Sequence, residues 1–548
     1  MMDPATSVSN PTVDSTATSQ EDRALFTPLN PDYPDLVKLR DVLDSHNFNV
    51  EGIERTYQIP LPVLLSEPFY QVLWRTREET SLDLLVRLFL EGERISLAKF
   101  ETIVEATGLE PWVECGLVRV DGSSVSAVVE LFPFRGLWMT FDFKPHYTQP
   151  LSNYYVMGVA SSTKTLSEIT IRQPYEKVLD LGCGSGLQAL LCSNHSEFAI
   201  GIDQNPRAIN LAKFNAALNG ITNVEFRQGD LFQPVEGEKF DLIVSNPPYV
   251  VSPPSDWIFR DGNRKDSERE GDAFCQMVVK EGAKYLNEGG YLEMLANWVH
   301  PREENWKVRL RGWFDDTECD AWVMQAGEQS SPNYANLWIK DTTSEANRKA
   351  TFDQWMEYYE SLKVDRISAG CIVMRKRSRA DNYFCLEKMP DKWAKNAGNT
   401  IQRAFLFLDM LAKTSDEELL DTAFCRSPNI RLTQYLEPQE NSWGLVQNQI
   451  RVMDPLPSRA DMDSVAMALL TQCNGDLPVR TILEGICEGL KAEWEEVLPA
   501  GLAMTKGFLQ RGLIWPPEHQ EAPSEIAEKG FGASGSEEPD MKQQRDTL

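Results

Sequence analysis

Seven short apolar runs stand between residues 177 and 377, with polar or helix-patterned stretches dividing them. They are KVLDLGCG, FAIGID, VEFRQGD, FDLIVSNPP, GGYLEMLANW, DAWVMQAG and AGCIVMRKR. Each is rich in aliphatic residues, and most end in Gly, Asp, Asn or Pro, the pattern of buried strands. Helical segments are expected between the first five. In NPRAINLAKFNAALNG, Asn205 suits the N-cap, Pro206 the first helical position and Gly220 the C-terminal stop. Alternation of this kind predicts a mainly parallel sheet covered on both faces. Upstream, PDLVKLRDVLDSHNF and SLDLLVRLFLEG place apolar residues at helical spacing, with Ser81 as cap of the second. GLVRVDGSSVSAVVELFPF then gives two β-rich runs around an Asp121-Gly122 turn. Downstream, residues 381–516 read as helical, with a helix-turn-helix rhythm near their end.

These patterns divide the chain into five parts. Residues 1–25 are Ser/Thr-rich and expected to be disordered. Residues 26–149 form a helix-plus-hairpin unit that resembles a winged helix, read as a packing or protein-docking module before a DNA-binding one. Residues 150–380 hold the sheet, 381–516 a mainly helical unit with a second winged-helix-like rhythm, and 517–548 an acidic, disordered tail. The formal charge of −28, from 54 basic and 82 acidic residues, does not suit a general nucleic-acid binder. The ten cysteines form no CxxC pair, so a zinc site is not expected, and free thiols point to a reducing cytoplasm. The first residues lack the basic and apolar parts of a signal peptide, and no stretch approaches the roughly 20 apolar residues of a membrane span.

The chemistry concentrates in the sheet region. Asp180-Leu181-Gly182-Cys183-Gly184-Ser185-Gly186 follows the first strand and leads into a helix. Its alternating glycines let backbone approach a ligand. A dinucleotide cradle needs a further glycine three residues after Gly184, where Leu187 stands. Asp203 closes the second strand, placed to accept hydrogen bonds from both hydroxyls of a ribose. The third strand ends at Gly229-Asp230-Leu231-Phe232, where Asp230 suits an adenine amino group and Leu231 or Phe232 its ring. The fourth ends at Asn246-Pro247-Pro248-Tyr249, a corner too stiff to continue a strand.

Together these motifs resemble the class I S-adenosylmethionine-dependent methyltransferases, in the branch that acts on planar nitrogens. That branch includes the release-factor glutamine methyltransferases (HemK-like), the ribosomal RNA guanine-N2 methyltransferases and adenine-N6 methyltransferases. The resemblance covers about 200 residues and implies a Rossmann-like, seven-stranded, mainly parallel sheet. It implies that Gly182, Gly184 and Gly186 line the methionine half of S-adenosyl-L-methionine, with Cys183 in the same cofactor-binding loop. Asp180 is then expected to orient the cofactor's amino group, Asp203 to bind its ribose, and Asp230 and Leu231 to hold its adenine. Asn246, Pro247, Pro248 and Tyr249 are expected to hold the substrate. After Tyr249 the chain reads VVSPPSDW, where the release-factor enzymes favour an isoleucine followed by acidic residues.

The corner has a physical rationale. An amide or exocyclic amino nitrogen delocalises its lone pair and is a poor nucleophile. If the Asn246 side-chain oxygen and the Pro247 carbonyl accept its two hydrogens, the nitrogen shifts toward a more nucleophilic geometry. The prolines keep those acceptors from drifting, and Tyr249 gives a flat wall. Asn246, Pro247 and Tyr249 are therefore the catalytic candidates. The expected acceptor is a glutamine amide of a release factor or ribosomal protein, since the acidic charge suits a protein partner. The alternative is a guanine-N2 or adenine-N6 nucleic-acid methyltransferase. Arg260 and Asp261, in a loop able to close over substrate, and Asn297 and Trp298 are weaker candidates, with Trp298 reading as core.

Overall fold

The computed structural model describes residues 27–143, 154–253, 270–343, 345–379, 381–389, 396–428, 430–452 and 459–517. Arg260, Asp261, the N-terminal segment 1–25 and the tail from 518 lie outside the described residues. The chain divides into two compact units, Met1–Gly398 and Asn399–Leu548. No described helix is long and apolar enough to cross a membrane.

The first unit opens with helices α1 (Leu36–Ser45), α2 (Val50–Tyr57), α3 (Leu61–Leu64), α4 (Phe69–Arg75) and α5 (Ser81–Phe89). The cap of α5 is Thr80, one residue before the expected Ser81. Thr80 Oγ1 accepts from the Asp83 N–H at 3.2 Å and the Asp83 carboxylate accepts from the Thr80 N–H at 2.9 Å, a reciprocal capping box. After α5 come β1 (Ile95–Ser96), α6 (Leu97–Ile103), α7 (Glu110–Glu114), β2 (Val118–Asp121) and β3 (Ser124–Ala127). β1, β3 and β2 form a small antiparallel sheet in that order. A second hairpin, β4 (Glu130–Phe134) and β5 (Leu137–Phe141), stands apart from it.

The central sheet holds β6 (Tyr175–Leu181), β7 (Ser196–Asp203), β8 (Val224–Gln228), β9 (Phe240–Ser245), β10 (Leu286–Pro301), β11 (Cys319–Ser330), β12 (Val364–Lys376) and β13 (Phe384–Lys388). Its order is β13-β11-β12-β10-β9-β6-β7-β8. Only β12 runs against its neighbours. The seven expected strands are β6 to β12. The eighth, β13, corrects both the strand count and the boundary drawn at residue 380, because it pairs with β11. A five-residue run with Cys, Glu and Lys lacks the aliphatic density that marks a buried strand, and an edge position does not demand it.

Helix α8 (Ser161–Ile169) precedes β6, α9 (Leu187–Cys192) follows it, and α10 (Pro206–Asn219) joins β7 to β8. No α-helix joins β8 to β9. Only a single 3-10 turn, Gln233–Val235, stands there, which corrects the expectation of helices between all of the first five strands. α11 (Ala273–Gly282) precedes β10 and α12 (Trp306–Arg311) follows it. α13 (Ser331–Thr342) and α14 (Arg348–Ser361) lie between β11 and β12.

α10 is capped and stopped as its sequence predicts, by Asn205, Pro206 and Gly220. It does more than cover the sheet. Asn219 accepts from the Trp138 N–H at 3.0 Å and donates to the Trp138 carbonyl at 2.8 Å. Asn215 does the same for Thr140, at 2.8 and 3.1 Å. A side-chain amide offers one acceptor and donors, as a peptide group does, so these residues complete the open edge of β5. Nearby, the buried Arg207 guanidinium donates to Asp142 Oδ1 at 2.8 and 3.2 Å, and Asp142 Oδ2 accepts from Val156 N at 3.0 Å. Burial pushes the Asp142 carboxyl up while Arg207 pulls it back down.

The second unit begins within α15 (Ala397–Lys413) and contains α16 (Asp416–Leu420), β14 (Cys425–Arg426), β15 (Ile430–Gln439), β16 (Ser442–Val452) and β17 (Arg459–Met462). These are followed by α17 (Ser464–Gln472), α18 (Val479–Leu490), α19 (Trp494–Gln510) and β18 (Ile514–Trp515). It is less helical than expected. β15, β16 and β17 make an antiparallel sheet, and β14 pairs with β18. Its long hairpin is largely exposed, including Trp443 and Val446, so it lacks the alternation on which a strand reading rests.

Replacing Arg207 with Leu leaves Asp142 buried without its cation. The expected cost is about 3–5 kcal/mol, read as a lowered urea midpoint for the first unit. The double change Arg207→Leu with Asp142→Asn is expected to recover most of that loss. No recovery would mean that shape, not charge, holds this contact.

Candidate functional site

Register brings the candidate residues together. Leu181 of β6 stands opposite Ile202 of β7 on one side and Ser245 of β9 on the other. Asp203 stands opposite Gln228 of β8. The next residues along each strand, Gly182, Asp203, Gly229 and Asn246, therefore line up along one edge of the sheet. They border a cavity of about 470 Å³, within the usual range for a small-molecule site. Asp180, Cys183, Asp230, Leu231, Pro247, Pro248 and Tyr249 line it as well.

The loop after β6 is shaped to leave room. Gly182 and Gly184 have φ of 76° and 53°, and a Cβ at either position would meet nothing within 4 Å. Their open sides are where a ligand comes close to backbone. Gly186 is different: it does not line the cavity. A Cβ there would lie 2.8 Å from the Phe226 ring, so this glycine serves the packing of α9 on the sheet. Cys183 is buried against the loop, and burial pushes its thiol well above the ordinary range.

Asp203 fixes the loop. Its carboxylate accepts from Gly184 N at 2.9 Å and from Asn205 N at 2.9 Å. The same carboxylate lines the cavity, a position that fits a ribose diol. Leu231 adopts a left-handed φ of 48°, a conformation usually left to glycine, directly after Asp230. Asp180 accepts from Ala189 N at 2.9 Å. Burial, reinforced by the neighbouring Asp203 charge, pushes its carboxyl up to about 7 although the Ala189 bond opposes this.

At the other end, the Asn246 Nδ2 donates to Ser162 Oγ at 3.2 Å, while its Oδ1 is buried with no hydrogen-bond partner. An orphaned acceptor in a cavity wall calls for a donor from a ligand. The Pro247 carbonyl accepts from Tyr249 N at 2.7 Å, a tight turn that leaves its second lone pair. Tyr249 is half-buried, with the Ser162 hydroxyl near its phenol, which burial pushes up. Ser162 thus stands between Asn246 and Tyr249. Sequence reading missed it, together with the whole segment 155–163 that forms one wall. Its residues, YVMGVASST, carry no charge, and no motif marks them. Trp298 is core, fully buried, and Asn297 is buried with its amide on Tyr334 Oη at 2.6 Å.

Comparison with known proteins bears on the same region. Residues 173–364 match the family described as a methyltransferase domain, and residues 67–128 one described as a domain of unknown function (DUF7059). The release factor glutamine methyltransferase of Aliivibrio fischeri is 39% identical over 127 residues, 22% of this chain and 45% of that protein. That of Xylella fastidiosa is 34% identical over 149 residues, 25% of this chain and 54% of that protein. The chain thus spans about half the length of these curated relatives. A crystal structure of an S-adenosylmethionine-dependent methyltransferase from Thiobacillus denitrificans, in complex with S-adenosyl-L-homocysteine, aligns with 39% of this chain and 90% of that one. Its identity is 17% and its TM-score 0.24.

The raised Asp180 pKa makes stability pH-dependent. Its charged form is disfavoured in the fold, so its contribution is full below about pH 4 and is lost as pH rises through about 7. Asp180→Asn keeps an acceptor for Ala189 and is expected to raise the melting temperature by several degrees at pH 8.5 but little at pH 4. An equal gain at both pH values would remove the charge from the account. Over residues 173–364 the chain carries a methyltransferase domain, similar in sequence to the release factor glutamine methyltransferases.

Proposed function

We propose that this chain transfers the methyl group of S-adenosyl-L-methionine to a planar nitrogen, the side-chain amide of a glutamine in a translation-related protein. The observation that carries this reading is the buried, unpartnered Asn246 Oδ1 beside the Pro247 carbonyl, on the same cavity as the glycine loop and Asp203. Bound there, S-adenosyl-L-methionine supplies an electrophilic methyl group on a sulfonium.

The protein's part is alignment. Gly182 and Gly184 admit the amino-acid half of the cofactor, Asp203 takes its ribose, and Asp230 and Leu231 its adenine. Asn246 Oδ1 and the Pro247 carbonyl accept the two hydrogens of the acceptor nitrogen and turn its lone pair toward the methyl. Ser162 keeps the Asn246 amide in the orientation that leaves Oδ1 free for this. After transfer the nitrogen is acidic and sheds its extra proton without a strong base. Tyr249 stacks on the planar group.

Two further features favour a protein acceptor. The sequence similarity is to enzymes named for glutamine methylation. Helices and strands α5 to β3, which we read as a winged-helix-like module, lie in a region where carboxylates outnumber basic side chains by nearly two to one. Such a surface repels a phosphate backbone and suits docking to a protein of mixed or basic charge. We assign acceptor selection to this region and to the second unit.

The test is transfer of labelled methyl from S-adenosyl-L-methionine into fractionated cell material. Label is expected in protein, resistant to nuclease and recovered as methylglutamine after hydrolysis by proteases; label confined to RNA or DNA overturns the glutamine reading. In single-turnover transfer, Asn246→Ala is expected to be about 10²–10³ slower with cofactor affinity unchanged. A wild-type rate would reduce the corner to a turn. Asp203→Ala is expected to weaken cofactor binding by about 2–4 kcal/mol, through lost ribose bonds and a loosened Gly184 loop, measured by calorimetry.

A further inference from the structure

β11 and β12 are antiparallel neighbours, with Ser330 opposite Arg366. Such a pair needs only a few residues to connect. Here residues 331–363 intervene, as α13 and α14. What this detour touches is the chain leaving the Asn-Pro-Pro-Tyr corner. Val251 N–H donates to Tyr334 Oη at 3.2 Å, and Tyr359 Oη donates to the Val251 carbonyl at 2.8 Å. A residue in a sheet has both backbone groups taken by a neighbouring strand; here two phenols from the two inserted helices take them. Tyr334 Oη also accepts from Asn297 Nδ2, which ties the clamp to β10. Val250 and Val251 are buried in a separate apolar cluster with Tyr334, Trp355 and Tyr359.

Trp338 lies one turn beyond Tyr334 on α13, its ring centroid 6.2 Å from the Tyr334 ring. It is half-buried and lines the cavity, as do Tyr249 and Phe274. Tyr249 and Trp338 both pack against the cluster that holds Val250 and Val251, so Trp338 stands at the acceptor end and not at the glycine loop.

We propose that residues 331–363 build the acceptor side of the site, with Trp338, Tyr249 and Phe274 forming an aromatic slot for the flat nitrogen-bearing group. Trp338 is its specificity-determining residue. Tyr334 and Tyr359 set the width of the slot by holding Val251. This rests on the planar-nitrogen reading above. A flat amide or base has a face to lay against a ring, whereas a tetrahedral ammonium has none, so an aromatic slot selects planar acceptors by shape and stacking.

The experiment measures KM and kcat for methyl transfer by the full chain, with a purified release factor and with total RNA and DNA as acceptors. Affinity for S-adenosyl-L-homocysteine is measured in parallel. Trp338→Ala is expected to raise the KM of the acceptor that the wild type labels by tenfold or more. The kcat is expected to change less than threefold and the cofactor-product affinity less than twofold, and Trp338→Phe to restore most of the loss. A merely structural role would weaken cofactor binding and KM together. Tyr359→Phe, which deletes only one hydroxyl, is expected to raise the same KM about threefold, and it decides the matter if Trp338→Ala does not fold. Unchanged KM in the folded variants overturns the proposal. Labelling of nucleic acid alone overturns the glutamine reading and leaves the slot to be judged by the same KM comparison on that acceptor. No transfer to any of the three acceptors overturns both.

Discussion

The site exists because the order of the sheet reverses at β6. From β6 the chain moves outward through β7 and β8, then returns to place β9 and β10 on the opposite side. The loops leaving β6 and β9 therefore diverge, and their shared carboxyl edge cannot be closed by a single connection. Parallel strands bury their sides under helices and leave a crevice at such a point. The register that sets Leu181 between Ile202 and Ser245 brings the glycine loop, Asp203 and Asn246 together without any of them being near neighbours in sequence.

A crevice left open on one side needs a wall, and the wall is held from outside the sheet. α10 carries Asn215 and Asn219 on a face that meets β5, and Asn215 also donates to the Ser185 carbonyl at 2.9 Å. One amide thus joins an edge strand of the N-terminal region to the glycine loop. Asp142, at the end of β5, holds Val156 and Arg207 together, and Val156 belongs to the segment lining the cavity. Buried polar groups of this kind are expensive unless fully paired, and here they are paired with one another. This pairing joins the N-terminal region to the wall of the cavity.

The glycine-loop side of the cavity was legible in the sequence because it depends on local devices. A turn that needs positive φ demands glycine, and a strand that ends on a carboxylate or an Asn-Pro shows its end. Asp180, Asp203, Asp230 and the Asn246 corner could be placed for that reason. What was not legible depends on contacts between distant segments. Ser162 is one serine among many until Asn246 and Tyr249 are seen on either side of it. Gly186 looks like its two neighbouring glycines, yet its constraint is the Phe226 ring, forty residues on. β13 and the exposed β15–β16 hairpin escaped because edge and solvent-facing strands need no apolar alternation.

The same distinction explains the valines after Tyr249. A corner made of two prolines is stiff in itself, but its stiffness ends where the prolines do. Beyond Tyr249 the chain must run against something to stay in place. Acidic residues there would keep that stretch in water. Val250 and Val251 instead bury it, and burial of two β-branched side chains obliges their backbone groups to find partners. The sheet cannot supply them, since β9 has already ended at Ser245. Phenols from α13 and α14 do so for Val251. The departure in sequence at these two positions and the detour between β11 and β12 are thus one feature seen twice, since both backbone groups of Val251 find their partners on the two inserted tyrosines.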